Sequence, residues 1–273
     1  MNKLIATILL ILLVLPVSAS ERPIVKGVMA DQPPIIDGDI SDACWQTAPS
    51  VSDFYFPSDG SPAPEPTTAW ICYDQKNIYA AFHCKDSKPD TIQCQQKKRG
   101  GGTYTDDYVE VAIACYPTQG HIAWFLVTAG GVQDEHFDWA DVSKIEWRGD
   151  WKAAVKRVED GYTAEIMVPF SILQYNADQT SLGICFERRL PRLDQSWISP
   201  NIGHVGGYQT WYLWDGLVLP RPNIKPKLMG YSLVGAGRSR VWARSQFIRL
   251  RRAKSCCGRR PSGNAGLLRI HIH

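Results

Sequence analysis

The chain has 273 residues, with 30 Lys and Arg against 27 Asp and Glu and a formal net charge of +3. That balance misleads. Residues 236–273 hold ten basic residues (Arg238, Arg240, Arg244, Arg249, Arg251, Arg252, Lys254, Arg259, Arg260, Arg269) and no acid, which leaves 20 basic against 27 acidic elsewhere, or −7. An acidic body argues against nucleic acid as a partner, and nothing after the first twenty residues is long and apolar enough for a transmembrane helix of about 20 residues.

The N-terminus reads as an address. Lys3 supplies a positive n-region, Leu4 to Leu15 an apolar h-region, and Val17-Ser18-Ala19 small residues for cleavage, the pattern of a signal peptide over residues 1–19. An exported protein is the expectation: periplasmic, outer-membrane-associated or extracellular.

The stretch Ile36 to Trp45 fits neither a helical nor a strand period. Asp37-Gly38 is a turn signal, because Gly accepts positive φ and Asp bonds its own backbone. Asp39, Asp42 and then Trp45 follow, so the segment reads as an acidic turn pinned by an aromatic. It opens a β-domain expected over residues 21–220.

Short β-rich runs come next. Trp70 to Tyr73 and Ile78 to Cys84 flank the four-residue loop Asp74-Gln75-Lys76-Asn77, a hairpin. Pro57 to Pro66 is a loop, and Gly100-Gly101-Gly102 a hinge. Tyr108 to Cys115 alternates, with Val109, Val111, Ile113 and Cys115 on one face. Its other face carries Tyr108, Glu110 and two alanines, so Glu110 is placed on the solvent side. Ile122 to Thr128 is a further strand. The polar stretch Asp134 to Asp150 reads as a loop. Trp151 to Val158 and Tyr162 to Val168 flank Glu159-Asp160-Gly161, a second hairpin, and Pro169 to Leu173 reads as a short helical turn. Leu182 to Arg188 and Tyr212 to Leu219 close the set. Many short strands between turn signals predict an all-β, two-sheet antiparallel β-sandwich, jelly-roll-like. The tail 236–273 is irregular, and Cys256-Cys257 beside Gly258-Arg259-Arg260-Pro261 resembles out-of-frame coding, so disorder or a frameshift is expected there.

Six cysteines precede the tail: Cys44, Cys72, Cys84, Cys94, Cys115 and Cys185. Their spacing matches no zinc pattern, and at most one or two disulfides are expected in an exported chain.

The order of motifs resembles a known family. Ile36-Asp37-Gly38 with Trp45, Tyr73-Asp74, Asn77-Ile78-Tyr79 and Asp86 come first. Asp106-Asp107-Tyr108-Val109-Glu110-Val111, Gly130-Gly131-Val132, Trp151, Gly161 to Ile166 and Val168-Pro169-Phe170 follow. Together they are similar to the carbohydrate-binding family 9-like domain, a β-sandwich of secreted bacterial polysaccharide-degrading enzymes. One subgroup places it before an outer-membrane β-barrel. Arg189-Leu190-Pro191-Arg192, Ser196-Trp197 and residues 224–231 resemble the run-up to that barrel, with 221–235 as a remnant of its first strand.

The resemblance implies a carbohydrate-binding module associated with glycoside hydrolysis, its ligand a polysaccharide or oligosaccharide, with outer-membrane association. Sugar binding needs flat aromatic faces plus polar groups for the hydroxyls. Trp139, Trp147, Trp197 and Trp211 are the stacking candidates, whereas Trp45, Trp70, Trp124 and Trp151 are assigned to core packing. Acids near Asp106, Asp107, Asp37 and Asp39 are candidates for a structural calcium ion, which wants six to eight oxygens; turn capping is the alternative. Glu165 reads as an exposed or salt-bridged strand residue. No pair of carboxylates is singled out for hydrolysis, so no catalytic residue is assigned. Two alternatives stand: the soluble N-terminal domain of a truncated barrel protein without sugar binding, and a haem-binding sandwich using His121, His136 or His204 with Met29, Met167 or Met229.

Overall fold

A computed structural model describes residues 22–116, 120–139, 142–144, 147–202 and 207–222. The expected signal peptide, barrel remnant and basic tail lie outside the described residues, except for Arg221 and Pro222. The strands are β1 (Ile24–Lys26), β2 (Ser50–Val51), β3 (Thr67–Tyr73), β4 (Asn77–Lys85), β5 (Tyr108–Ala114), β6 (His121–Thr128), β7 (Gln133–Trp139), β8 (Val142–Lys144), β9 (Lys152–Val158), β10 (Gly161–Pro169), β11 (Ser181–Leu190), β12 (Gln195–Ser199) and β13 (Tyr212–Asp215). A five-residue helix, α1, spans Ala43–Thr47.

Two sheets result. The smaller runs β2-β3-β4-β10-β9; the larger runs β1-β13-β11-β5-β6-β7-β8, with β12 also paired to β11. All strand pairs are antiparallel except β1 on β13. The expected sandwich is the observed one, and its core follows from the period of 2 along each strand. Ile71, Ala80, Phe82, Ala164 and Ile166 of the smaller sheet meet Val111, Ile113, Phe125, Ile184 and Phe186 of the larger in one buried cluster. Phe82 and Phe186 pack edge to face across it at 5.8 Å.

The hairpin at 74–77 is closed as its residues predict. Asp74 N donates to Asn77 O (2.9 Å), and the Asp74 carboxylate accepts Lys76 N and Asn77 N, both at 2.7 Å. The helical turn after Pro169 is a 3-10 turn over Phe170–Ile172. The last expected strand is shorter than read, ending at Asp215 because Gly216 turns away at φ +76°.

The stretch Asp134 to Asp150 is a correction, since β7 and β8 occupy much of it. Its alternation is hidden because an inward position carries a charge. Glu135 is buried, and Arg99 Nε and Nη2 donate to its two oxygens (2.9 and 2.5 Å), with Gly149 N adding a third bond at 3.2 Å. An ion pair saturated in this way can occupy a position that an apolar side chain would otherwise fill.

The six cysteines of this region are all free thiols. Cys72, Cys84 and Cys115 pack as small hydrophobes, and burial pushes the Cys115 thiol up to about 12.

Candidate functional site

Each sheet has an outer face, and the two are covered differently. The N-terminal segment lies over the smaller sheet. Ala30, Cys44 and Trp45 pack on Cys72, Tyr79 and Ala81, with Ile36, Ile40, Trp70 and Met167 around them. The acidic turn is fastened there by Glu165. Its carboxylate accepts Trp45 Nε1 (2.9 Å), Asp37 N (3.1 Å) and Gly38 N (2.9 Å), and Thr163 Oγ1 donates to Gly38 O (2.6 Å). Glu165 is therefore buried rather than exposed or salt-bridged, a correction to the sequence reading. Desolvation raises its pKa, partly offset by the Trp45 and backbone bonds. Gly38 has φ +87°, and a Cβ there would lie 2.7 Å from the Val155 carbonyl carbon.

The larger sheet's outer face is set by register. Across β11, β5, β6 and β7 one row reads Glu187–Glu110–Leu126–Asp134, and the next reads Cys185–Ala112–Trp124–His136. Gly183 and Ala114 follow in a third row. Small residues in the middle and aromatics beside them leave a depression. The segment reaching Trp211 covers one side, held where Arg22 donates to the carbonyls of Trp211 and Tyr208 (each 3.1 Å).

The depression is a cleft of about 220 Å³. Trp124, Trp211, Ile198, Ile202 and Pro57 form its walls; Glu110, Glu187, Ala112 and Cys185 complete the lining. Trp211 meets Trp124 edge to face at 5.4 Å, and Trp124 stacks on His136 at 5.2 Å and 12°. Trp124 Nε1 donates to Asp138 Oδ2 (2.7 Å), which fixes the indole. Tyr108 Oη donates to Glu187 Oε1 (2.6 Å), and Tyr104, 59% exposed, packs edge-on against Tyr108 at 6.0 Å.

Glu110 differs from every other acid here. It is only 6% exposed, not on the solvent side as its alternation suggested. No described residue bonds its carboxyl. Desolvation, then Glu187, Asp134 and Asp138, holds its pKa well above the usual carboxylate range. His136 is pushed the other way: burial lowers its pKa despite Asp138 and Asp134.

The predicted stacking residues separate. Trp211, 4% exposed, lines the cleft. Trp197 does not: it packs within the inter-sheet core beside Phe56. Trp147 is half-buried and leans on Phe125 and Phe137 at the core's edge. Trp139 ends β7, and its side chain lies outside the described residues. Of the four Trp assigned to packing, Trp45, Trp70 and Trp151 are packed, but Trp124 lines the cleft. The signal was present in the sequence: Ala123, Phe125 and Val127 share one parity, and Trp124 has the other. Tyr108, Glu110 and Glu187 were legible in the same way, by parity alone.

The four candidate calcium ligands have other work. Asp106 accepts Gln95 N (3.0 Å) and Gln96 N (2.9 Å), and Asp107 accepts Gln93 N (2.8 Å), so both order the loop before β5. Asp37 accepts Asp39 N (2.8 Å), and Asp39 accepts Ser41 N (3.1 Å) and Lys156 Nζ (2.7 Å). Among the described residues no three His, Cys, Asp or Glu come together as a metal-holding group. Of the haem candidates, His136 sits on the larger sheet and Met167 on the smaller, while His204 and Met229 lie outside the described residues.

A two-sheet sandwich with an aromatic and acidic cleft on one outer face defines a small β-sandwich binding module. The chain belongs to the family described as carbohydrate family 9 binding domain-like, whose profile matches residues 36–189. Among solved structures it is similar to a carbohydrate binding module of family 9 from Caldicellulosiruptor kristjanssonii in complex with glucose. That likeness has 16% identity and a TM-score of 0.49, covering 74% of this chain and 100% of the other. It is also similar to a Bacteroides uniformis protein put forward as carbohydrate-binding, at 11% identity and a TM-score of 0.53, over 70% and 97% of the two chains. The latter likeness speaks for a shared fold. No curated protein matches the chain.

Proposed function

We propose that this protein is a non-catalytic carbohydrate-binding module whose cleft on the larger sheet takes a sugar ring. One observation carries the reading: Trp124 and Trp211 wall a cleft that also holds Glu110 and Glu187. Apolar C–H faces of a sugar stack on indoles, and carboxyl groups bond its hydroxyls. Family membership supports the same conclusion. Drug-sized ligands occupy pockets of roughly 300–1,000 Å³, so this smaller cleft suits one ring at a chain end.

A wider role follows as part of the proposal. The signal-like N-terminus and the subgroup resemblance support an exported module serving polysaccharide breakdown at the cell envelope. Fractionation of the native host tests that location; a cytoplasmic protein would refute it.

Titration calorimetry on the full chain with glucose and with cello-, xylo- and chito-oligosaccharides tests binding. Saturable heat that Trp124→Ala removes supports the proposal, and silence across the set sinks it. Hydrolysis is the second reading, favoured by the two facing carboxyls, of which Glu110 has a raised pKa. Release of new reducing ends from those oligosaccharides would replace the non-catalytic reading with this one.

A further inference from the structure

We infer that the cleft selects sugars bearing a protonated amine, with Glu110 as the group that receives the ammonium. This rests on the carbohydrate-binding reading above and names the ligand class within it. The carrying observation is a carboxyl that the fold buries and leaves unused. Glu110 is 6% exposed, lines the cleft, and accepts no hydrogen bond from a described residue. A carboxyl that lines the cleft and takes no donor from the described residues leaves its bonding capacity to a ligand.

The surroundings specify a donor with positive charge. Glu187 lies directly opposite Glu110 on β11, an arrangement of like groups that destabilises a strand pair. From β7, Asp134 and Asp138 add negative potential, and His136 beside them is held toward its neutral form by burial. Tyr108 on β5 spends its hydroxyl on Glu187, Tyr104 packs edge-on against Tyr108, and Cys185 of β11 also lines the cleft. No Lys or Arg is in the lining. Arg189, one row away on β11, is turned to Asp194 at 2.5 Å. The indoles of Trp124 and Trp211 share the lining with Glu110, and aromatic faces attract organic cations.

Competing ligands fit worse. A divalent metal wants more oxygens than two carboxyls between indole, Ile198 and Pro57 supply. A uronic acid brings its carboxylate against Glu187 and Asp138. A neutral sugar leaves the field of these acids uncompensated. An amino sugar supplies three N–H donors and the missing charge. When it enters, the ammonium donates to the Glu110 carboxylate and an ion pair forms.

Calorimetry on the full chain tests this with glucosamine, N-acetylglucosamine, glucose, glucuronate and their short oligomers. Glucosamine is expected to bind about tenfold tighter or more than its acetylated twin, as a cation held between a carboxylate and indoles does. A preference that fades with salt accompanies it. Glu110→Gln brings the glucosamine to N-acetylglucosamine ratio near one; if that variant misfolds by circular dichroism, Glu187→Gln is read for the same narrowing. Equal or tighter binding of the acetylated or acidic sugar overturns the amine inference while leaving carbohydrate binding intact. Calcium chloride heat abolished by Glu110→Gln also overturns it. Silence for every sugar removes both readings together.

Discussion

Glu165 and Glu110 occupy equivalent situations on the two outer faces and meet opposite fates. Both are glutamates on central strands, buried, and raised in pKa first by desolvation. Glu165 is enclosed by chain: Trp45 and the Asp37-Gly38 turn supply three N–H donors. Glu110 is enclosed by Trp124, Trp211 and Ile198, none of which bonds it, and a cleft remains in front. Burial of an acid therefore does not separate structural from functional residues. The supply of donors does, because a saturated carboxylate has completed its bonding within the fold and an unsaturated one awaits a partner.

The largest effect that bears on this comparison is expected at Glu165→Ala. It strands an indole N–H and two backbone N–H groups, and should cost about 3–5 kcal/mol. Thermal unfolding should report a fall of about 2–4 °C per kcal/mol for a body of this size; an unchanged midpoint would mean the staple carries no weight. Trp124→Ala should weaken oligosaccharide affinity by about tenfold, the scale of one lost aromatic contact, with a smaller change in unfolding midpoint than Glu165→Ala gives.

Glu110→Gln is expected to do the reverse of Glu165→Ala. A carboxyl whose folded pKa is raised binds protons more tightly in the native state, so its contribution is fully favourable below the unfolded value near about 4.3 and is lost as pH rises through the folded value. The variant escapes that loss. It should therefore gain stability at neutral pH and nothing at acid pH, measured by denaturant unfolding at both. A gain that persists below the ordinary glutamate range would exclude titration as its cause. The smallest effect is expected from calcium: added calcium or EDTA should leave the unfolding midpoint unchanged, since Asp37, Asp39, Asp106 and Asp107 already accept bonds from the fold. A midpoint that EDTA lowers would restore them as ligands.

Legibility divides along physical lines. Strands whose inward residues are apolar were readable from alternation, as β5, β6, β10 and β11 show. β7 was not, because its inward Glu135 depends on Arg99 from a distant loop, and only the ion pair makes that position tolerable. Half of the site was likewise visible as parity. Trp124 and Glu110 sit opposite the core residues of their own strands, yet Trp124's size suggested packing and Glu110's charge suggested solvent.

The sequence by itself determined the acidic body, the sandwich class and the two faces of each strand, because a side-chain period of 2 is a local property of extended backbone. It also carried the family's order of motifs. Which faces meet was decided only by tertiary structure. β5 lies between β6, its chain neighbour, and β11, far along the chain. That non-local pairing sets Glu110 against Glu187, and the pairing of β13 to β11 with Arg22's bonds carries Trp211 to Trp124. Strand neighbours are chosen by the whole core at once, so no local pattern in the sequence records the cleft they create.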